Sequence, residues 1–214
     1  MLVTGSAGRV GQVLLAALSH AQPYDLPQDV LDPAALASSL EPGSQVIHLA
    51  WRRATENYNN GGKDPVNLSM TERVLDAAFA AGTSRVLLAS SVHAGALVRN
   101  GCRLVRPDDP RPPVTPYGSS KRTVERLGRQ ASERGLDVVS VRFGGVGPAP
   151  DSRPSERGLW LSPEDCVAAV RAVLAAPVEP GRNHVFYAVS RTRWRQHSTV
   201  NDVGWAPVRS WRRS

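Results

Sequence analysis

The sequence is short of cysteine, lysine and long apolar runs, and each shortage excludes something. Cys102 and Cys166 are the only cysteines in 214 residues. Two isolated cysteines make neither a disulfide framework nor a metal site. Free thiols, buried or partly buried, and no metal are therefore expected. No apolar stretch approaches the roughly 20 residues of a membrane-spanning helix. The first residues also lack a basic segment followed by an apolar signal core. These absences lead to the expectation of a soluble, cytoplasmic protein with no membrane partner. Of the 26 lysines and arginines, only Lys63 and Lys121 are lysines. The two side chains are not interchangeable chemically, so a lysine kept at position 121 points to chemistry there.

What is present suits one domain with a substantial core. The formal net charge is +7, unevenly spread. Residues 191–214 hold Arg191, Arg193, Arg195, Arg209, Arg212 and Arg213 against Asp202 alone. That is a balance of +5, leaving +2 for the rest. Such a segment could attract an acidic ligand or nucleic acid; the plainer expectation is a solvated basic tail with no nucleic-acid partner.

Short apolar strands alternate with capped helices. "MLVTG" is a strand ending in glycine, and Val10, Val13, Leu14, Ala17 and Leu18 have helical spacing. "PYDLPQDV" leaves room for only a stub of a second strand. "DPAALASSL" reads as a short helix with Asp32 as N-cap and Pro33 in the first turn. "QVIHLAW", "SRVLLASS", "LDVVSVRF" and "NHVFYAV" read as strands. Residues 64–82, 116–134 and 162–176 read as helices, and 51–62 and 144–158 as loops. This alternation implies βαβ units and a parallel sheet. The expected class is α/β: a Rossmann-like doubly wound parallel sheet over residues 1–148, then a minimal C-terminal substrate cap over 149–214. The ligand site belongs at the carboxyl ends of the strands.

Two motifs carry chemistry. In "TGSAGRVG", Gly5, Gly8 and Gly11 follow a strand and open a helix at Arg9 and Val10. Such a turn lets the backbone approach a pyrophosphate at the helix N-terminus. Asp25 lies 20 residues past Gly5, where a carboxylate can accept ribose hydroxyls and favour NAD over NADP. It could equally be a turn residue, and Arg9 could instead serve a 2′-phosphate, so NADP stays open. In "TPYGSSK", Thr115 and Pro116 suit a helix start, which puts Tyr117 and Lys121 on one face. A free phenol titrates near 10. A nearby ammonium favours the phenolate, making a proton acceptor for an alcohol that loses hydride.

With "VIHLA", "NLSMTERVLDAA", "VLLASS" and "VRFGGVGP" between and after them, these motifs resemble the extended short-chain dehydrogenase/reductase superfamily, the NAD-dependent epimerase/dehydratase type. The likeness runs in order from residue 1 to about 148. "LLASSVHAG", "LWLSPEDCVAAVRAVLAAP" and "NDVGWAP" look most like uronate dehydrogenases, which oxidise a hexuronic acid to a lactone. The resemblance implies that Lys121 also holds the nicotinamide ribose. It matches Ser91, with Ser90 as alternate, to the serine that polarises the reacting oxygen. It also implies cofactor contacts from Leu49, Ala50 and Asn67. Substrate contacts follow from Ser91, Val92, His93, Gly145 and either Arg153 or Arg157. Two of these positions depart from the uronate enzymes, with Val92 for asparagine and Gly145 for serine. A homodimer and a small polar, anionic sugar-like substrate are implied as well. A transient use of the cofactor by an epimerase, dehydratase or lyase is the alternative, and a non-catalytic dinucleotide-binding regulator is a third.

Overall fold

The computed structural model describes residues 1–52, 65–150, 152–153, 156–177, 179 and 181–211. The expected loop over 51–62 lies outside these residues from position 53 onward. The elements in chain order are β1 (Leu2–Thr4), α1 (Arg9–Ala17), β2 (Gln22–Tyr24), α2 (Pro33–Ser38), β3 (Gln45–His48), α3 (Pro65–Ala80), β4 (Arg85–Ser91), α4 (Pro116–Glu133), β5 (Val138–Phe143), β6 (Gly145–Val146), β7 (Trp160–Leu161), α5 (Pro163–Ala175), β8 (His184–Ala188), β9 (Arg191–Thr192) and β10 (Ser210–Trp211).

Local chemistry sets the helix starts. Asp32 accepts the N–H groups of Ala34 and Ala35, Thr115 that of Gly118, and Ser162 that of Asp165. Each cap is followed by a proline, whose missing N–H would have had no helical partner anyway.

The main sheet has six strands in the order β2-β1-β3-β4-β5-β8, and every neighbouring pair is parallel. Successive strand residues face opposite sides, so β4 feeds two cores. Leu87 packs with Leu14 of α1 and Val170 and Val173 of α5. Val86 and Leu88 pack with Leu36 of α2, Val74 of α3 and Val124 of α4. The result is three layers, the doubly wound Rossmann-like arrangement. Strand order reverses beside β1, which places the switch point and its crevice between β1 and β3. The second strand is a stub of three residues.

The C-terminal region departs from expectation in three ways. First, β8 pairs along β5 from Val139↔His184 to Phe143↔Ala188, so residues beyond 148 complete the main sheet. Second, the loop expected over 144–158 contains β6, which pairs with β7. Third, the basic segment is not a solvated tail over its described part. His197, Val203 and Trp205 are buried. The Asp165 carboxylate accepts the N–H groups of Val208 and Arg209. A charge count registers the arginines and misses the apolar residues between them. Cys166 is buried, and burial pushes its thiol up to about 12. Cys102, expected to be at least partly buried, is exposed. No helix among the described residues is long and apolar enough to cross a membrane.

A buried ion pair ties the layers together behind the cavity. Arg142 of β5 donates to both carboxylate oxygens of Glu125 on α4, at 2.7 and 2.8 Å. It also donates to the Tyr187 hydroxyl of β8 and the Pro107 carbonyl. Both charged residues are almost fully buried. Removing one partner of such a pair strands the other charge without water. Arg142→Met is expected to destabilise the protein by about 3–5 kcal/mol, measured by chemical denaturation at neutral pH.

Candidate active site

The strand ends open into one cavity of about 860 Å³. One side of it is built by β1, β2 and α1. Gly5 adopts φ +71°, and a Cβ there would lie 2.5 Å from the Ala50 backbone nitrogen. Only glycine allows that turn against the end of β3. Helix α1 opens at Gly8 with no side-chain cap, so its first N–H groups remain available to an anion. Asp25 sits directly after β2. One of its carboxylate oxygens accepts the Ala7 N–H at 2.8 Å and the other the Leu26 N–H at 2.9 Å. It thus braces the glycine turn and still lines the cavity. Arg9 crosses toward the Val146 carbonyl at 3.5 Å. Gly5, Gly8, Arg9, Val10, Gly11, Asp25, Leu49 and Ala50 all line the cavity. An uncapped helix start, a glycine turn and an acidic group beyond β2 fit a dinucleotide.

The other side is built by β4, α4 and β5. Gly118 lets α4 approach the turn that follows β4. A Cβ there would lie 2.1 Å from the His93 carbonyl oxygen. Tyr117 and Lys121 consequently line the cavity on the same side as Ser90 and Ser91. The two serines divide their tasks. The Ser90 hydroxyl donates to Glu125 at 2.6 Å, so its proton is committed. The Ser91 oxygen accepts the His93 N–H at 3.2 Å. That leaves the Ser91 proton available to an oxygen in the cavity.

Lys121 is buried, and desolvation brings its ammonium down to about 7, opposed by the Glu125 charge. Its Nζ donates to the Ala89 carbonyl at 2.8 Å. His48, beneath it on β3, is driven down to about 3 by burial and by Lys121, and so is neutral near pH 7. It shares hydrogen bonds with Thr4 and Thr71. His93 lies 5.9 Å from the Tyr117 ring. Burial lowers its pKa, Glu156 opposes that shift, and its Nδ1 is buried without a partner. It forms part of the cavity wall.

Two expected positions lie elsewhere. Asn67 does not line the cavity. Its side-chain amide accepts the Arg52 N–H at 2.7 Å and donates to the Arg52 carbonyl at 2.9 Å, clamping the segment after β3. Arg157 turns away: it donates to the Ser152 carbonyl and lies over the Trp194 ring. Of the two arginines, Arg153 lines the cavity, as do Glu156, Val92 and Gly145. Sequence reasoning missed Glu156, and it missed Trp51, whose ring lies over Lys121. Trp51 follows the "HLA" segment directly, but nothing in its spacing reveals the packing. Among the described residues no cluster of His, Cys, Asp or Glu could hold a metal ion.

Comparison with known proteins agrees with this geometry. An L-arabinose 1-dehydrogenase (NAD(P)(+)) of Haloferax volcanii is 31% identical, over 96% of this chain and 94% of that one. An NAD-dependent glucose-6-phosphate dehydrogenase of the same organism is 28% identical, over 78% and 76%. Among solved structures, uronate dehydrogenase from Agrobacterium tumefaciens superposes with a TM-score of 0.77 at 25% identity, covering 98% of this chain and 84% of that one. The profile of the family described as "NAD dependent epimerase/dehydratase" matches residues 1–162. The chain belongs to the NAD-dependent epimerase/dehydratase family.

Proposed function

We propose that this protein is an NAD-dependent dehydrogenase of a small free sugar or sugar acid, working through Ser91, Tyr117 and Lys121. The observation that carries the reading is their convergence: a serine with a free proton, a tyrosine and a buried lysine on one wall of a cavity whose other wall suits a dinucleotide. Gly5, Gly8, the N-terminus of α1 and Asp25 would hold the cofactor, with Lys121 toward the nicotinamide ribose. A nicotinamide held there would supply the acceptor for the hydride lost from the substrate carbon.

The residues handle the rest. Tyr117, as phenolate, takes the proton of the reacting hydroxyl. The Lys121 ammonium favours that phenolate. Ser91 donates a hydrogen bond to the same oxygen and fixes its position. His93 and Arg153 face the remainder of the sugar. Val92 and Gly145 give the wall fewer hydrogen-bonding side chains than a uronate site would have. Relatives that oxidise arabinose and glucose 6-phosphate support a sugar. Residues 1–148 serve as the nucleotide-binding core and 149–214 as the substrate cap, which also supplies β8. A cytoplasmic homodimer accords with this reading, and sedimentation equilibrium tests the assembly.

The direct test is NADH formation across a panel of pentoses, hexoses, hexose phosphates and hexuronic acids. A chain that binds NAD but forms no NADH with any of them would overturn the reading. Tyr117→Phe is expected to lower kcat by about 10²–10⁴-fold while the Kd for NAD, followed by calorimetry, stays within about twofold. Asp25→Ala is expected to relax the preference for NAD over NADP by about tenfold, roughly 1.4 kcal/mol, seen in the ratio of kcat/KM values. An unchanged ratio would place the Asp25 carboxylate away from the ribose and leave it as a brace for the glycine turn.

A further inference from the structure

Trp51 stands against both proton-handling residues. The Lys121 Nζ lies 3.6 Å from the centroid of its ring. The Tyr117 ring meets the same indole edge-on, with centroids 5.7 Å apart and planes at 88°. The ring is held from behind: Asn67 grips both backbone polar groups of the next residue, Arg52. The Arg52 side chain is in turn bound to Asp29 at 2.7 Å. Asn67 therefore acts on the site through the segment it clamps.

We propose that Trp51 is a positioning residue whose ring holds Lys121 as a cation and sets its orientation toward Tyr117. The inference rests on the reading of Tyr117 and Lys121 given above. The physical need is plain. Lys121 is out of water, and among the described residues its hydrogen bond goes to a single carbonyl, that of Ala89. Burial favours its neutral form, which would leave Tyr117 without the charge that stabilises a phenolate. An indole face is the best aromatic surface for an ammonium, and the attraction is largest where water is absent.

The surrounding groups leave that task open. Glu125, one turn along α4, favours the cation, but Arg142 of β5 holds both its carboxylate oxygens. His48 of β3 is neutral near pH 7 and cannot serve as a counter-ion. His93, after β4, faces Tyr117, and Glu156 faces His93. The indole is the contact that reaches Lys121 and Tyr117 together.

The sign of the effect follows. Without the ring Lys121 loses charge more readily, the phenolate loses support, and Tyr117 deprotonates at higher pH. Tyrosinate absorbance of the free enzyme reports this directly, as the component missing in Tyr117→Phe. Trp51→Ala is expected to move that component upward by about one pH unit. The acid limb of kcat/KM for sugar oxidation by the NAD-loaded enzyme should move with it. Trp51→Phe should shift both in the same direction by less, because a benzene ring binds cations more weakly than indole. It also serves if the alanine variant fails to fold. A uniform loss of activity at every pH, with the tyrosinate component unmoved, would overturn the proposal and leave Trp51 as packing. Substantial turnover in Tyr117→Phe would instead overturn the reading of the site, so the two failures are distinguishable.

Discussion

The arrangement depends on a charge pair sealed behind the cavity wall. Glu125 and Arg142 meet with two hydrogen bonds in a region that excludes water. Such a pair is a weak source of stability, because desolvation offsets most of the attraction. Its effect here is geometric. Glu125 belongs to the helix that carries Tyr117 and Lys121. Arg142 belongs to the neighbouring strand and also reaches Tyr187 on β8. Glu125 further receives the Ser90 proton. Four elements are thus fixed to one another within a side chain's length of the cavity. A sliding of α4 along the sheet would break several hydrogen bonds together.

Charge is graded across the site. The deepest groups, His48 and Lys121, are pushed toward neutrality by burial. Groups nearer the mouth, Asp25, Arg9, Arg153 and Glu156, keep contact with water or backbone partners. The less buried groups stand around the strand ends, beside the glycine turn and the turn after β5.

The legible part of this protein was local. Polar caps followed by proline mark three helix starts, and the sequence alone places the glycine turn and the i,i+4 tyrosine–lysine pair on their elements. Each is decided within a few residues, by sterics or by one hydrogen bond. The rest depends on partners far apart in sequence. The Arg142 partner lies 17 residues away, and Asn67 clamps a residue 15 positions before it. The choice between Ser90 and Ser91 turns on which face of β4 meets α4, which the repeated "SS" does not show. The basic segment was misjudged for a related reason: Asp165 and the buried Trp205 hold it down, and neither is part of its charge pattern.

The late position of β8 gives the chain a direction. During synthesis β1 to β5 emerge, with the glycine turn, Asp25, Ser91, Tyr117 and Lys121, before the ribosome reaches Arg153, Glu156 or Leu159. Chains generally fold from the N-terminal end as they are made. The glycine turn and the tyrosine–lysine pair are thus translated first, and the rest of the cavity wall is added last, by the same segment that closes the sheet. A chain cut short after β5 would hold most of the cavity lining and leave β5 as an open edge of the sheet.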